Sequence, residues 1–355
     1  MLKKILSNIY YRLPAFLGVS VAFPCRNVVF ELEYSCNLNC EMCPYRKEVS
    51  LTRPSGTDLK PLDKDEVIRL LGRFPKGSNM TFTGGEPFLK EGILEILNAA
   101  AGSHNVTIAT NGTLITEDIA GKMVRWGVKL IGLSLDGPEN IHNDIRKDPQ
   151  AFGKLVNAVE LINEQKKKRG AEYPRVNFNG VILRKNFDSL YKNIELAKAL
   201  GVNSHSFQIF DPSWSRSGWR LSDEINTGEK VIEQVETINR EELKKALERL
   251  MHAAKELDIS VNIMPPLTIE EIADYYDRRF DIGRWHCFFP WSTMRISPYG
   301  EVFPCLNFKI GNIRQQSPAE LWNGPGYGRF RKGLKKATLF ESCVGCCKMI
   351  REESA

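Results

Sequence analysis

The stretch that decides the fold is VVFELEYSCNLNCEMC, residues 28–43. Its first part, residues 28–32, is a short run of β-branched and apolar residues, which is typical of a buried strand. The pattern returns five more times before residue 211, and helical stretches separate the runs. These stretches have acidic first turns or a glycine at the end, the usual boundary signals of helices. The predicted strands span residues 28–32, 80–84, 106–110, 130–135, 176–183 and 205–210.

Six strand–helix alternations predict an α/β fold with a parallel sheet and helices on its outside. Periodicity alone leaves two architectures open, an open doubly wound sheet and a partial barrel. In both, functional residues lie at the carboxyl ends of the strands. Cys36, Cys40 and Cys43 meet this condition, because they follow the first strand directly in a C-x3-C-x2-C spacing.

Three thiols on one loop differ from the paired C-x2-C motifs that close a four-ligand structural zinc site. Three protein ligands leave one metal position open, which suggests chemistry at that position. A [4Fe–4S] cluster with one non-cysteine ligand fits this loop. The alternatives from the loop alone are a zinc site that borrows a fourth ligand, or thiols that bind no metal.

The composition of the 355 residues is that of an ordinary globular protein, with 42% hydrophobic and 26% charged residues, so disordered and fibrous classes are excluded. No apolar run reaches the length of a transmembrane helix. The net charge of +6 is too diffuse to indicate a nucleic-acid partner. Nine cysteines, an odd and clustered set, favour metal ligation in a reducing compartment, and we expect a cytoplasmic location.

The cysteine loop resembles the signature of the radical SAM superfamily, and later strand ends extend the resemblance. Residues 83–87, TGGEP, close the second strand and are similar to the family's GGEP motif. The resemblance implies a partial (β/α)6 TIM-like barrel and a cluster whose open iron binds S-adenosylmethionine (SAM). Reductive cleavage of SAM would yield a 5′-deoxyadenosyl radical. The implied SAM-contacting residues are Met42, Gly84, Gly85, Glu86, Thr110, Asn111, Ser134, Asp136 and Arg146.

For two of these positions, the chemistry of the side chain itself is consistent with contact to SAM. Arg146 offers a planar guanidinium, which suits a bidentate bond to the SAM carboxylate. Met42 stands where the family often has an aromatic residue, and its apolar, polarisable side chain still suits packing against adenine. We therefore expect altered packing at Met42 rather than lost function.

A second group of cysteines lies near the end of the chain: Cys287, Cys305, Cys343, Cys346 and Cys347. Spacing alone leaves structural zinc open here. The pattern C-x17-C, then ELWN, then C-x2-C resembles the SPASM/twitch extension of radical SAM enzymes, which implies one auxiliary [4Fe–4S] cluster. We expect Cys346 as the fourth ligand after Cys287, Cys305 and Cys343, because a C-x2-C pair chelates one cluster. Cys25 has no partner in sequence and is expected to be a buried small hydrophobe.

These assignments divide the chain into four parts. Residues 1–26 form an N-terminal amphipathic segment, 27–212 the radical SAM partial barrel, 213–283 a bridging loop and helices, and 284–355 the SPASM/twitch-like auxiliary domain. The last part is rich in Cys, Pro, Gly and aromatic residues with little periodicity. This composition predicts a small module held by metal rather than by a large apolar core.

Three functions are compatible with the sequence. The first is an oxidoreductase for a small, sugar- or cyclitol-like molecule, since about 27 residues before the first strand are too few for a winged peptide-binding domain. The alternative is a peptide or protein maturase, with the polar, Trp-rich loop 211–230 as a platform. The third is a non-enzymatic iron–sulfur or zinc protein. An enzyme of either kind would need a reductase or flavodoxin-type electron donor. Candidate substrate contacts are Asn177, Asn179, Gln208, Asp211 and Arg295.

Overall fold

The fold was derived from a computed structural model, which describes residues 10, 12–15, 17, 19–43, 45, 60–212, 231–305 and 308–351. Loop 211–230, considered above as a peptide platform, therefore lies almost wholly outside the described residues. The strands are β1 (Asn27–Glu33), β2 (Asn79–Gly84), β3 (Asn105–Thr110), β4 (Leu130–Ser134), β5 (Arg175–Ile182), β6 (Ser204–Ile209), β7 (Ser260–Met264), β8 (Trp285–His286), β9 (Thr293–Ile296), β10 (Glu301–Phe303), β11 (Gly311–Asn312) and β12 (Ile350–Arg351).

The helices described between residues 60 and 351 alternate with these strands. They are α1 (Lys64–Leu71), α2 (Ile93–Ala101), α3 (Glu117–Trp126), α4 (Glu139–Arg146), α5 (Ala151–Arg169), α6 (Leu190–Ala199), α7 (Arg240–Glu256), α8 (Ile269–Tyr276), α9 (Phe289–Ser292), α10 (Pro318–Trp322) and α11 (Pro325–Ala337). Capping residues fix several of their starts. The Asp63 side chain, for example, accepts a hydrogen bond from the backbone of Glu66 in a capping box that begins α1.

One ten-stranded sheet organises the molecule, in the order β11-β10-β9-β1-β2-β3-β4-β5-β6-β7. The six predicted strands are its parallel centre, which confirms the α/β partial barrel. Two strands that the sequence did not assign to this sheet extend it. Strand β7 pairs in parallel with β6, and β9 pairs in parallel with β1, so the sheet continues into the C-terminal region.

Polar side chains on the inner face of the barrel lie where a site can form, as β5 illustrates. Along β5, Val176, Phe178 and Ile182 are buried, whereas Asn177 and Asn179 between them are partly exposed. Successive side chains of a strand point to opposite faces, so the apolar set packs under the helices and the asparagines face inward. The carboxyl ends of these strands therefore surround a cavity rather than a packed core.

The C-terminal region has a substantial aromatic core, contrary to the expectation from its composition. Trp285, Trp291, Trp322, Tyr327 and Phe330 are each at most 3% exposed. Aromatic side chains bury large areas without needing a regular period, which is why periodicity did not reveal this core.

The described part of the N-terminal segment lies along this C-terminal region. Indole nitrogens of Trp291 and Trp322 donate hydrogen bonds to the backbone oxygens of Val19 and Phe23, at 3.1 and 2.7 Å. None of the helices in the described ranges is both long and apolar enough to cross a membrane.

Candidate active site

The cysteine loop after β1 opens on a cavity of about 350 Å³ at the carboxyl ends of the barrel strands. Cys36, Cys40 and Cys43 all line it. Burial raises the pKa of the Cys36 thiol to about 11, so this thiol stays protonated at neutral pH unless a cation displaces the proton. Three soft sulfur donors on one wall of a cavity suit an iron–sulfur cluster, and the remaining volume leaves room for a further ligand.

The two glycines of the TGGEP segment allow its backbone to pack closely against residues 33–35, where the cysteine loop begins. A Cβ on Gly84 would collide with the carbonyl oxygen of Glu33, and one on Gly85 with that of Ser35. Gly84 also has φ +135°, which only glycine adopts without strain. The family resemblance implies that these glycines contact SAM. The close approach that excludes a side chain is instead to the protein's own chain, although both glycines also line the cavity.

Glu86 joins three elements of the site from a fully buried position. Its carboxylate accepts hydrogen bonds from the Thr110 hydroxyl at 2.7 Å and from the backbone N–H groups of Asn111 and Phe88 at 2.9 and 3.1 Å. Asn111 in turn donates to the Asn37 side chain at 3.0 Å within the cysteine loop. Burial raises the pKa of Glu86. Glu86 is not among the residues lining the cavity, whereas Thr110 and Asn111 are, so it acts on the cavity wall through them.

Arg146 and Asp136 form a second buried arrangement. The Arg146 Nε donates to Asp136 Oδ2 at 2.6 Å, and its Nη1 lies 3.6 Å from the Cys40 sulfur. Arg146 lines the cavity, whereas Asp136 is fully buried behind it and does not. The amide of Val181 also donates to Asp136, at 3.3 Å. Asp136 therefore orients the guanidinium, which keeps its terminal nitrogens toward the cysteine loop.

Of the remaining SAM-contacting residues expected from the sequence, Met42 and Ser134 line the cavity. So do Asn179, Gln208 and Asp211 among the candidate substrate contacts. Asn177 instead donates to Asn179 Oδ1 at 2.8 Å and supports it. Nine further lining residues were not singled out from the sequence, namely Leu38, Tyr45, Thr83, Ala109, Gly132, Gly180, Val181, Ile209 and Phe210. A glycine inside a strand often marks close approach, and this signal could have identified Gly132 and Gly180.

A second, smaller cavity of about 40 Å³ lies in the C-terminal region. Its lining includes all five late cysteines, Cys287, Cys305, Cys343, Cys346 and Cys347, together with Arg295 and Lys348. Burial raises the pKa of Cys287 to about 12, whereas a hydrogen bond from Cys346 lowers that of Cys347. Five thiols are one more than a cluster needs, and the choice of Cys346 as the fourth ligand stays a prediction.

Within the described residues, no three Cys, His, Asp or Glu side chains converge on a point where they could hold a single metal ion. The five thiols are distributed around the second cavity among apolar side chains such as Phe340 and Met349. This soft and mostly apolar donor set suits an iron–sulfur cluster.

Replacing Glu86 or Arg146 with alanine should weaken SAM binding and leave the barrel iron in place. Each loses a charge-assisted interaction that shapes the cavity wall, which costs about 1.5–3 kcal/mol, or about ten- to hundredfold in affinity. Equilibrium dialysis of reconstituted protein with SAM measures the affinity. Exposed Glu95, paired with Lys64 on the outer helices, gives the matched control Glu95→Ala, which should bind SAM like the parent. Parental affinity in both site variants would place the SAM pocket elsewhere.

Two protein-family models match parts of the chain that contain the two cysteine groups. Residues 34–197 match the radical SAM superfamily, and residues 287–347 match SPASM, an iron–sulfur cluster-binding domain. AdoMet-dependent heme synthase of Methanosarcina barkeri is 27% identical over 90% of this chain and 88% of its own length. PqqA peptide cyclase of Granulibacter bethesdensis is 25% identical over 88% of this chain and 78% of its own.

The crystal structure of Streptococcus suis SuiB bound to S-adenosylmethionine has the same fold, with a TM-score of 0.63 at 16% identity. The superposition covers 93% of this chain and 73% of that one. The first match begins just before Cys36, and the second runs from Cys287 to Cys347. The chain belongs to the radical SAM superfamily and is a radical SAM enzyme with a C-terminal SPASM domain, with S-adenosylmethionine and [4Fe–4S] clusters as its cofactors.

Proposed function

We propose that this enzyme is a peptide or protein maturase that oxidises or cross-links its substrate. The observation that carries the proposal is the similarity to PqqA peptide cyclase, which runs through both the barrel and the SPASM domain. It favours this alternative over the small-molecule oxidation that the sequence first suggested. The short N-terminal segment, which counted against a peptide substrate, is a weaker argument than similarity along most of the chain.

The residues that line the first cavity support a peptide substrate. The cavity extends from the cysteine loop to the ends of β5 and β6, where Asn179, Gln208 and Asp211 line it. The two carboxamides offer donors and acceptors together, which matches the N–H and C=O groups of a peptide. Phe210 adds an apolar surface at the same end.

SAM bound at the barrel cluster supplies a hydrogen-abstracting radical, and the auxiliary cluster supplies a one-electron acceptor. The protein side chains bind and orient SAM. Arg146, oriented by Asp136, holds the methionine end of SAM, and Glu86 keeps Thr110 and Asn111 in place beside it. We retain the expectation that a reductase or flavodoxin-type protein donates the electron that starts turnover.

Asp211 is the carboxylate we assign as proton acceptor, because among the described residues that line the first cavity it alone carries a carboxylate. If a substrate radical gave up an electron to an auxiliary cluster, a proton would have to leave the substrate as well. Asp211→Asn should keep formation of 5′-deoxyadenosine and lower the yield of oxidised product about 10²-fold or more, the range of general base catalysis. Product yield and deoxyadenosine are both measured by mass spectrometry. Equal loss of both would assign Asp211 to radical generation instead.

A second candidate is oxidation of a haem-type tetrapyrrole, which the 27% identity to AdoMet-dependent heme synthase favours. Such a substrate carries carboxylates that need cationic partners. Among the described residues that line the first cavity, Arg146 is the one cation, and it is already paired with Asp136. This charge pattern favours the peptide.

The test supplies three substrate classes to the reconstituted enzyme with SAM and a low-potential reductant. They are synthetic peptides encoded by short reading frames beside the gene, an iron tetrapyrrole with propionate side chains, and an amino sugar. We expect a peptide to stimulate 5′-deoxyadenosine formation and to emerge lighter by two hydrogens. Turnover with the tetrapyrrole or the sugar, and none with any peptide, would contradict peptide maturation.

A further inference from the structure

A buried ion pair lies between the two cavities, on adjacent parallel strands. Glu31 of β1 is 2% exposed and Arg295 of β9 is 9% exposed, and their side chains are in direct contact through Arg295 Nη2 and Glu31 Oε1. The pairing of β1 with β9 places Arg295 beside Val29, one inward-facing position from Glu31. The pair therefore joins the barrel to the SPASM domain where β1 and β9 meet in the shared sheet.

Each end of the pair reaches one cavity. Tyr45, which lines the first cavity close to Cys43, donates its hydroxyl to Glu31 Oε1 at 2.9 Å. Tyr34 donates to Glu31 Oε2 at 3.0 Å and stacks on Tyr45 with ring centroids 5.3 Å apart. Arg295 lines the second cavity with the five thiols. A continuous chain of contacts, Tyr45–Glu31–Arg295, thus runs from one cysteine site to the other.

Stability alone is a weak explanation for this arrangement. Desolvation of two charges cancels most of their attraction, so a buried ion pair contributes little net stability compared with apolar residues of the same volume. The neighbouring strand positions Val29 and Ile296 are apolar. A charged pair at this place therefore calls for an explanation in the chemistry of the cavities it connects.

We propose that Arg295, held by Glu31, sets the reduction potential of the auxiliary cluster and makes that cluster a better electron acceptor. A cluster that gains one electron gains one negative charge, and a nearby cation stabilises the reduced form. Lys348 also lines the second cavity, but it is exposed, so water screens its charge. The buried guanidinium of Arg295 acts with much less screening. Glu31 fixes its position and offsets part of its charge.

The proposal gives two variants opposite signs. Arg295→Gln removes a positive charge and should shift the auxiliary midpoint potential to a more negative value. Glu31→Gln removes a negative charge while keeping an acceptor for the tyrosine hydroxyls, and should shift it to a more positive value. A packing defect would not shift the midpoint potential in opposite directions according to the charge that was removed. Redox titration of the holoenzyme, followed by electron paramagnetic resonance, measures both shifts. Added SAM perturbs the barrel cluster and so distinguishes the two signals.

Two further variants complete the test. Arg295→Lys keeps the charge and should stay near the parent potential. Arg175→Gln removes an exposed cation that pairs with Glu172 at the other end of the barrel, and should leave both clusters unchanged. If Arg295→Gln loses the auxiliary iron, the midpoint potentials of Glu31→Gln and Arg295→Lys still test the proposal. Shifts of the same sign in the two glutamine variants, or no shift in Glu31→Gln, would overturn the proposal.

This inference rests on the auxiliary cluster of the SPASM domain and not on the nature of the substrate. Its readout is a potential measured without substrate. If the predicted potential shifts were absent, the proposal of peptide maturation would still stand. If no peptide reacted, the potential shifts would still test the role of Arg295.

Discussion

Replacing Cys36, Cys40 and Cys43 together with alanine is expected to remove about half of the bound iron and to reduce SAM cleavage to background. The three thiols are the only cysteines that line the first cavity among the described residues, and without them no site remains for the cluster that reduces SAM. Iron and sulfide assays after anaerobic reconstitution measure the first effect. Chromatographic detection of 5′-deoxyadenosine measures the second.

The auxiliary cluster provides the internal control for this variant. Its visible absorption and paramagnetic signal should persist, because its thiols lie on separate elements in the C-terminal region. Circular dichroism must also match that of the parent. Loss of all iron would mean that the two sites depend on each other, and stoichiometric zinc in the parent would rule out the cluster assignment.

Replacing Cys305 with alanine should separate the two halves of the reaction. The barrel generates the radical with its own thiols, so some 5′-deoxyadenosine should still form. Oxidised product should fall much further, since a substrate radical without an electron acceptor must take hydrogen back or be quenched. The comparison requires deoxyadenosine and product to be measured in the same reactions with the peptide that the parent accepts.

Folding is the main control for the Cys305 variant, because metal binding contributes to the folding of small metal-containing domains. The buried aromatic residues around Trp285 and Trp322 give this domain an apolar core of its own, which favours survival of the fold. The variant should retain parental secondary structure and barrel iron. Parental yields of product in such a protein would show that the auxiliary cluster is structural.

The central strands and the two thiol groups could be predicted from the sequence, because they depend on local patterns. Alternating apolar runs gave the six central strands, and cysteine spacing located both thiol groups. The neighbours of Glu86 could not be read in this way. Its carboxylate meets Thr110 and Asn111, which are far away in sequence and reach it only through the pairing of β2 with β3.

The same reason explains the missed connection between the two domains. Strand β9 is four residues long and lies in a region without periodicity, so nothing in sequence indicates that it pairs with β1. Arg295 consequently looked like a substrate contact, whereas the structure places it on the second cavity in contact with Glu31. Such contacts depend on tertiary pairing.

The measurement that tests the central claim most directly is the stoichiometry of a single turnover. Reconstituted enzyme with one equivalent of SAM and excess peptide should form one 5′-deoxyadenosine for each peptide that becomes lighter by two hydrogens. The paramagnetic signal of the auxiliary cluster should show that it has gained the electron. Formation of deoxyadenosine with every peptide unchanged in mass, or a product at the oxidation level of the substrate, would contradict an oxidative peptide maturase.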